Sequence, residues 1–345
     1  MASEIPQHHS AQAASVTIAH ASRVVVLGTG GTIAGAAASA TDNVGYVAAQ
    51  RSVQSLLAAV PALAKWPLEA EQLAQLDSKD MTHATWAALA RRCAAHLARP
   101  DVAGLVVTHG TDTLEETAWL LHRVLGVGPG LHKPVVLTAA MRPATSQQAD
   151  GPQNLLDAVT VAAHPGARGV VLAMAGQVWA GAEVRKVHTW RLEAFAAGDA
   201  GPVALLREGR VLTLRSWPGV EPGWPAPPGV LALPEAEADW PWVEIVTSHA
   251  GADARAVQGL CAAGVQAVVV AATGNGSVHA ALEAGLRAAA AGGVPVLRAS
   301  RCAAGGIIEG GDVPSGDPGA LPGAAALTPP QARVELMLQL LARRA

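Results

Sequence analysis

Apolar residues in this chain come in short unbroken runs that stop at a glycine or a small hydroxyl. Arg23-Val24-Val25-Val26-Leu27-Gly28 is one, and Gly104-Leu105-Val106-Val107-Thr108 is another. Val135-Val136-Leu137 and Gly169-Val170-Val171-Leu172 repeat the style. Runs without polar alternation predict strands buried on both faces, as in a parallel sheet. Between them, the Ala/Leu-rich stretches 51–60, 84–98 and 114–125 predict helices, with Leu114, Ala118, Leu121 and Leu125 on one side of the last. Thr113 and Glu116 have the spacing of a capping box, which predicts where that helix starts. The alternation predicts an α/β fold.

The pattern breaks over residues 215–242, which are dense in proline, glycine and tryptophan and predict an ordered linker. It resumes with Val243-Glu244-Ile245-Val246, Ala267-Val268-Val269-Val270 and Val294-Pro295-Val296-Leu297. The expected organisation is a flexible arm over 1–22 and a larger N-terminal, doubly wound, mostly parallel-sheet domain over 23–214. The linker over 215–242 and a smaller C-terminal α/β domain over 243–345 follow. The stretch 310–324 reads as a loop, and no solenoid repeat is visible. With 345 residues, 50 % of them apolar, the chain has material for two cores.

Charge and cysteine content narrow the function classes. The net charge is −3, without a basic run or an aromatic-basic stripe, so no nucleic-acid partner is expected. No apolar run approaches the roughly 18 residues of a membrane span. Cys93, Cys261 and Cys302 are odd in number and lack CxxC spacing, which predicts reduced thiols. The opening residues, MASEIPQHHSAQAASVTIAHASR, lack a basic segment followed by an apolar one, so a cytoplasmic protein is expected.

Two turns carry candidate chemistry. In Val107-Thr108-His109-Gly110-Thr111-Asp112-Thr113-Leu114, Thr111 and Asp112 fall between the carboxyl end of a strand and the start of a helix. Ligands bind there in open α/β sheets, and the helix N–H groups favour negative charge. Thr113 alone completes the cap, which leaves Thr111 and Asp112 to be explained. In Thr29-Gly30-Gly31-Thr32-Ile33-Ala34-Gly35, two glycines allow a tight turn that presents the Thr32 hydroxyl. The nucleotide-binding glycine pattern fails, because Ile33 stands where its third glycine belongs, and no Lys-Ser/Thr pair completes a P-loop. A threonine hydroxyl needs an activating neighbour to act as a nucleophile; a lysine or tyrosine proton acceptor is the chemistry this chain offers. His109 has no second histidine at a metal-ligand spacing, so its expected role is structural, and neither metal nor cofactor is expected.

Together these stretches resemble the bacterial-type L-asparaginase family. Thr29-Gly30-Gly31-Thr32-Ile33-Ala34 and His109-Gly110-Thr111-Asp112-Thr113-Leu114 look like its two signatures. Leu76-Asp77-Ser78-Lys79-Asp80-Met81, Ala140-Met141-Arg142-Pro143-Ala144-Thr145-Ser146, Ala149-Asp150-Gly151-Pro152-Gln153-Asn154-Leu155 and Gly274-Asn275-Gly276-Ser277 resemble further stretches, in unbroken order over residues 23–340. The resemblance implies Thr32 as nucleophile, with Thr111, Asp112 and Lys186 as the second threonine, aspartate and lysine. It implies Ser78 and Asp112 as holders of the substrate's α-carboxylate and α-amino group, with Lys79, Thr111 and Gly31 beside them. Ser277 and Asp312 match loosely groups that a neighbouring subunit contributes. Tyr46, the chain's only tyrosine, is the candidate for the family's flexible-loop tyrosine, one residue beyond the ungapped position. Lys79 stands where many members carry glutamine. The segment 36–50 reads as a mobile lid.

The activity implied is hydrolysis of L-asparagine to L-aspartate and ammonia, by a homo-oligomer, dimer or tetramer. Three alternatives are a broad glutaminase-asparaginase, a non-catalytic amino-acid-binding sensor, and an amidotransferase subunit of this fold acting on glutamyl-tRNA. The last predicts an added N-terminal domain, for which the arm before Arg23 is too short.

Overall fold

The first apolar run forms β1 (Arg23–Gly30), buried along all but its first residue. The computed structural model describes residues 22–126, 131–219, 223–309 and 320–344. The arm before Ser22, Asp312 and most of the predicted 310–324 loop lie outside them. After β1 come α1 (Val53–Ala58), β2 (Leu68–Leu76), α2 (His83–Leu97), β3 (Val102–Thr108), α3 (Leu114–Leu125), β4 (Pro134–Thr138), α4 (Gly151–Ala162) and β5 (Gly169–Met174). Next are β6 (Gln177–Ala180), the short β7 (Arg185–Lys186) and β8 (Phe195–Ala196), then β9 (Ala204–Arg207) and β10 (Arg210–Thr213).

An eight-stranded sheet runs in the order β10-β9-β6-β5-β4-β3-β1-β2. From β2 to β5 every pairing is parallel; β6, β9 and β10 extend the sheet antiparallel. Alternate side chains of the parallel strands go to opposite cores. Val25, Leu27, Leu105 and Val107 meet α2 and α3, while Val24, Val26, Val106 and Val136 meet α1 and α4. Burial on both faces is why these strands read as continuous apolar runs.

The run-based reading misses β2, whose sequence LEAEQLAQL mixes charge with apolar residues. It is an edge strand, paired only with β1. Its Glu69 meets Arg99 and Arg23, and its Glu71 meets Arg92. Charged side chains on an edge discourage pairing with a second molecule.

The smaller domain holds β11 (Val243–Thr247), α5 (Arg255–Ala262), β12 (Ala267–Ala272), α6 (Ala280–Ala291), β13 (Val296–Ser300) and α7 (Pro329–Ala342), with the three strands parallel in the order β11-β12-β13. α7 starts with a capping box made by Thr328 and Gln331. It packs on α3 as well as on the small sheet, so Trp119 and Leu120 share one core with Val269 and Met337. Within the Pro/Gly/Trp-rich stretch, Leu233 and Trp240 are buried in that same core.

One local prediction is corrected. The capping box of Thr113 and Glu116 does not form, because both side chains have tertiary partners. Thr113 Oγ1 donates to the Ser78 carbonyl (2.8 Å) and caps nothing in α3. Glu116 faces Arg333 of α7 at 3.8 Å.

Candidate active site

The sheet order places β1 between β2 and β3, and the connections that leave β1 and β3 run over opposite faces of the sheet, through α1 and α3. A crevice opens at such a switch point, beyond the carboxyl ends of the strands. Thr32 follows β1 and Thr111 follows β3, so the two predicted hydroxyls meet there.

Glycines let these turns touch. Gly31 has φ +81°, a left-handed conformation, and a Cβ on it would lie 2.4 Å from the Gly110 nitrogen. A Cβ on Gly110 would lie 2.4 Å from Ser78 Oγ. The turns after β1, β2 and β3 therefore close on one another only where a side chain is missing. Thr29 Oγ1 donates to the Thr108 carbonyl (2.9 Å) and ties the first and third together.

A cavity of about 380 Å³ lies over this junction, within the size range of small-molecule sites. Thr32, Tyr46, Ser78, Thr111, Asp112 and Lys186 line it. Thr32 Oγ1 and the Tyr46 hydroxyl are 2.7 Å apart. On the other side, Lys186 Nζ donates to Thr111 Oγ1 (2.9 Å) and to Asp112 Oδ1 (2.5 Å). Ser78 Oγ accepts from the Asp112 backbone N–H (3.2 Å), which leaves its own hydrogen free to donate.

Each group has a structural support. The ring of Tyr46 lies where a Cβ on Gly35 would be, 2.9 Å from its Cδ2. Just before the tyrosine, Asp42 Oδ1 accepts from the N–H groups of Val44 and Gly45, which closes a tight turn. Lys186 sits on β7, and its backbone N–H donates to Glu115 Oε2 (2.8 Å) on α3. Glu115 also accepts from Thr328 Oγ1 at the start of α7 (3.1 Å). Burial raises the pKa of Glu115.

Other predicted residues lie apart from the cavity wall. Lys79 is exposed, and its ammonium pairs with Asp80. Gly31 gives its N–H to the Leu76 carbonyl (2.9 Å), so it serves the site by backbone shape. Ser277 is exposed in the turn after β12. The sequence reading gave no role to Asp77, Asn43, Val44, Met141, Thr189 or Trp190, which complete the lining with Ala140. Adjacency to Ser78 was a usable signal for Asp77, the lid segment 36–50 contained Asn43 and Val44, and the family-like stretch contained Met141; nothing in the sequence marked Thr189 or Trp190. Asn43 Oδ1 is buried without a partner.

His109 is committed to structure. The Gly110 carbonyl can only accept, so Nδ1 carries the hydrogen of their 2.7 Å bond. Nε2 then accepts from the Thr117 hydroxyl (3.0 Å), whose oxygen accepts from Trp86 Nε1 (2.8 Å). Both ring nitrogens are used, and burial drives the pKa down to about 4. His122, buried beside Arg123, is also driven down to about 4, by burial first and the guanidinium second.

A base whose pKa is lower in the folded state stabilises the fold above its unfolded pKa, and that stability is lost as pH falls toward the folded value. Between pH 7 and 5, His122 is expected to cost about 2 kcal/mol, from an unfolded pKa near 6.5. The buried carboxylates Glu115, Glu116, Asp150 and Asp157 have raised values and act in the opposite sense. A His122→Phe variant isolates the histidine: its urea-unfolding free energy should fall by about 2 kcal/mol less than the wild type's over that interval. Parallel pH profiles for the two proteins would show that His122 does not supply this slope.

Residues 23–218 match the model "Asparaginase, N-terminal", and residues 242–344 match "Glutaminase/Asparaginase C-terminal domain". The chain belongs to the asparaginase family. It is an amidohydrolase of that family, with the α/β architecture of a large N-terminal and a small C-terminal domain. It is 36 % identical over 294 residues to a protein named glutaminase-asparaginase from Pseudomonas fluorescens, covering 83 % of this chain and 77 % of that one. It is 35 % identical over 320 residues to L-asparaginase 2 of Escherichia coli, covering 92 % and 88 %. The structure of a probable cytoplasmic L-asparaginase from Campylobacter jejuni superposes with a TM-score of 0.82 at 34 % identity, covering 92 % of this chain and 95 % of that one. A relative from Haemophilus influenzae, 36 % identical over 334 residues and covering 94 % and 91 %, is named a probable periplasmic L-asparaginase. Asparaginase relatives thus carry names with different substrates and compartments. Among the described residues no helix is long and apolar enough to cross a membrane.

Proposed function

We propose that this asparaginase hydrolyses L-asparagine to L-aspartate and ammonia through an acyl-enzyme on Thr32. The observation that carries the reading is the 2.7 Å contact of Thr32 Oγ1 with Tyr46, in a cavity that also holds Thr111 on Lys186. A nucleophile within hydrogen-bond reach of a proton acceptor, with a second oriented hydroxyl nearby, suits amide hydrolysis in two steps.

In the first step Thr32 Oγ1 bonds to the side-chain amide carbon, and its proton is relayed by the Tyr46 hydroxyl, which accepts it while handing its own on toward the amide nitrogen. The developing oxyanion is assigned to backbone N–H groups of the two turns other than those of Gly31 and Asp112, which Leu76 and Ser78 already occupy; one such donor is worth about 10²–10³ in rate. The carbon–nitrogen bond breaks, the amide nitrogen takes the proton, and ammonia leaves a β-aspartyl ester. In the second step water, held by Thr111 and polarised through Lys186, attacks the ester and restores the Thr32 hydroxyl. Ser78, with a hydrogen free to donate, holds the α-carboxylate. The Asp112 carboxylate, half-exposed toward the cavity, holds the α-ammonium.

Purified protein should release ammonia from L-asparagine with a higher kcat/KM than from L-glutamine. Equal values for the two amides would assign the broader glutaminase-asparaginase activity. Binding of L-aspartate with no ammonia from either amide would assign the sensor. A cytoplasmic location accords with three free cysteines, and cell fractionation tests it. A homo-oligomer accords with the exposed Ser277, placed away from this chain's own cavity.

A further inference from the structure

Trp190 is nearly half exposed, at 46 %, yet it is held firmly. Its ring lies over the guanidinium of buried Arg142, 4.1 Å from carbon to ring centroid. Arg142 Nη1 also donates to the Trp190 carbonyl (2.9 Å). The Trp190 and Arg191 N–H groups both donate to His188 Nδ1, at 2.9 and 3.0 Å. A cation stacked on an indole face at this distance is a net attraction, stronger when the cation is buried. The mechanism uses none of these contacts.

The stack stands between two spaces. Trp190 lines the active cavity, and Arg142 lines a separate groove of about 980 Å³ that Leu192 and Glu193 also border. A substrate pinned at its amide carbon by Thr32 and at its ammonium by Asp112 has fixed ends. One additional methylene must then bow sideways. The apolar side walls on offer are Val44, Ala140, Met141 and Trp190, of which Ala140 presents only a methyl group. Val44 rides on the exposed 36–50 loop, and methionine is an unbranched chain that re-packs easily. The clamped indole is the large apolar wall that is held in place.

We propose that Trp190, clamped on Arg142, is the residue that sets how long an ω-amide the cavity accepts, favouring the four-carbon amide over the five-carbon one. The proposal rests on the asparaginase reading of the site.

The test is the ratio of kcat/KM for L-glutamine to that for L-asparagine in the wild type, Trp190→Ala and Trp190→Phe. One methylene in a fitted pocket is worth about 10–200-fold in discrimination. Trp190→Ala should therefore raise the ratio by at least about tenfold, while Trp190→Phe, which keeps a ring on the guanidinium, should stay near the wild-type ratio. Calorimetric affinities of L-glutamate and L-aspartate should shift the same way, independently of turnover. An unchanged ratio in Trp190→Ala, or equal losses on both amides, overturns the proposal. If the wild type releases no ammonia from either amide, the asparaginase reading fails, and the two affinities still decide the role of Trp190.

Discussion

Thr32→Ala is expected to lower kcat for asparagine by at least about 10⁴-fold, with KM changed little, because loss of a nucleophile removes the covalent route and leaves binding and the oxyanion donors. The Tyr46 hydroxyl would then face a methyl group. Thr32→Ser keeps the oxygen and should retain far more activity, which separates loss of the nucleophile from loss of packing at a site that is 8 % exposed. Steady-state ammonia release, read against circular dichroism of each variant, is the measurement. Activity of Thr32→Ala within tenfold of the wild type would assign the attacking oxygen to another residue, Thr111 first.

Glu335→Ala is expected to destabilise the protein by about 3–5 kcal/mol, the usual cost of removing one partner of a buried ion pair. Glu335 is fully buried on α7 and receives Arg123 of α3 through two bonds, Nε to Oε2 at 2.8 Å and Nη2 to Oε1 at 3.1 Å. Without the carboxylate the guanidinium stays between the two domains, keeping only the Pro225 carbonyl (2.5 Å) and the Trp119 ring (5.8 Å). The double variant Arg123→Met/Glu335→Leu should recover most of the loss, since apolar packing commonly replaces such a pair without penalty. Urea denaturation of the single and double variants checks both statements; a cost below about 1 kcal/mol for Glu335→Ala would mean that water reaches the arginine.

How much of this was legible beforehand depends on how local each signal is. The parallel strands β1, β3, β4 and β5 announce themselves because burial on both faces forces continuous apolar runs. β2 does not, because an edge strand carries mixed side chains, and the antiparallel β6, β9 and β10 do not, because each is only four residues long. Thr32, Thr111 and Asp112 stand in turns whose glycines and hydroxyls are unusual enough to notice. Lys186 is one of 24 lysines and arginines, and only resemblance singled it out. Thr113 with Glu116 shows the opposite error, a good local pattern whose side chains are taken by Ser78 and Arg333 from other parts of the chain.

The sequence by itself determined the alternation of strand and helix, two glycine turns offering hydroxyls, and membership of a hydrolase family. Only the tertiary structure decided that Tyr46 meets Thr32, that Lys186 reaches Thr111 across 75 residues, that Lys79 turns outward to Asp80, and that Trp190 is fixed over Arg142. Propensity and periodicity act over a few neighbouring residues. Which side chains share a cavity depends on strand order and on which glycines let distant turns touch, and both are properties of the packed chain.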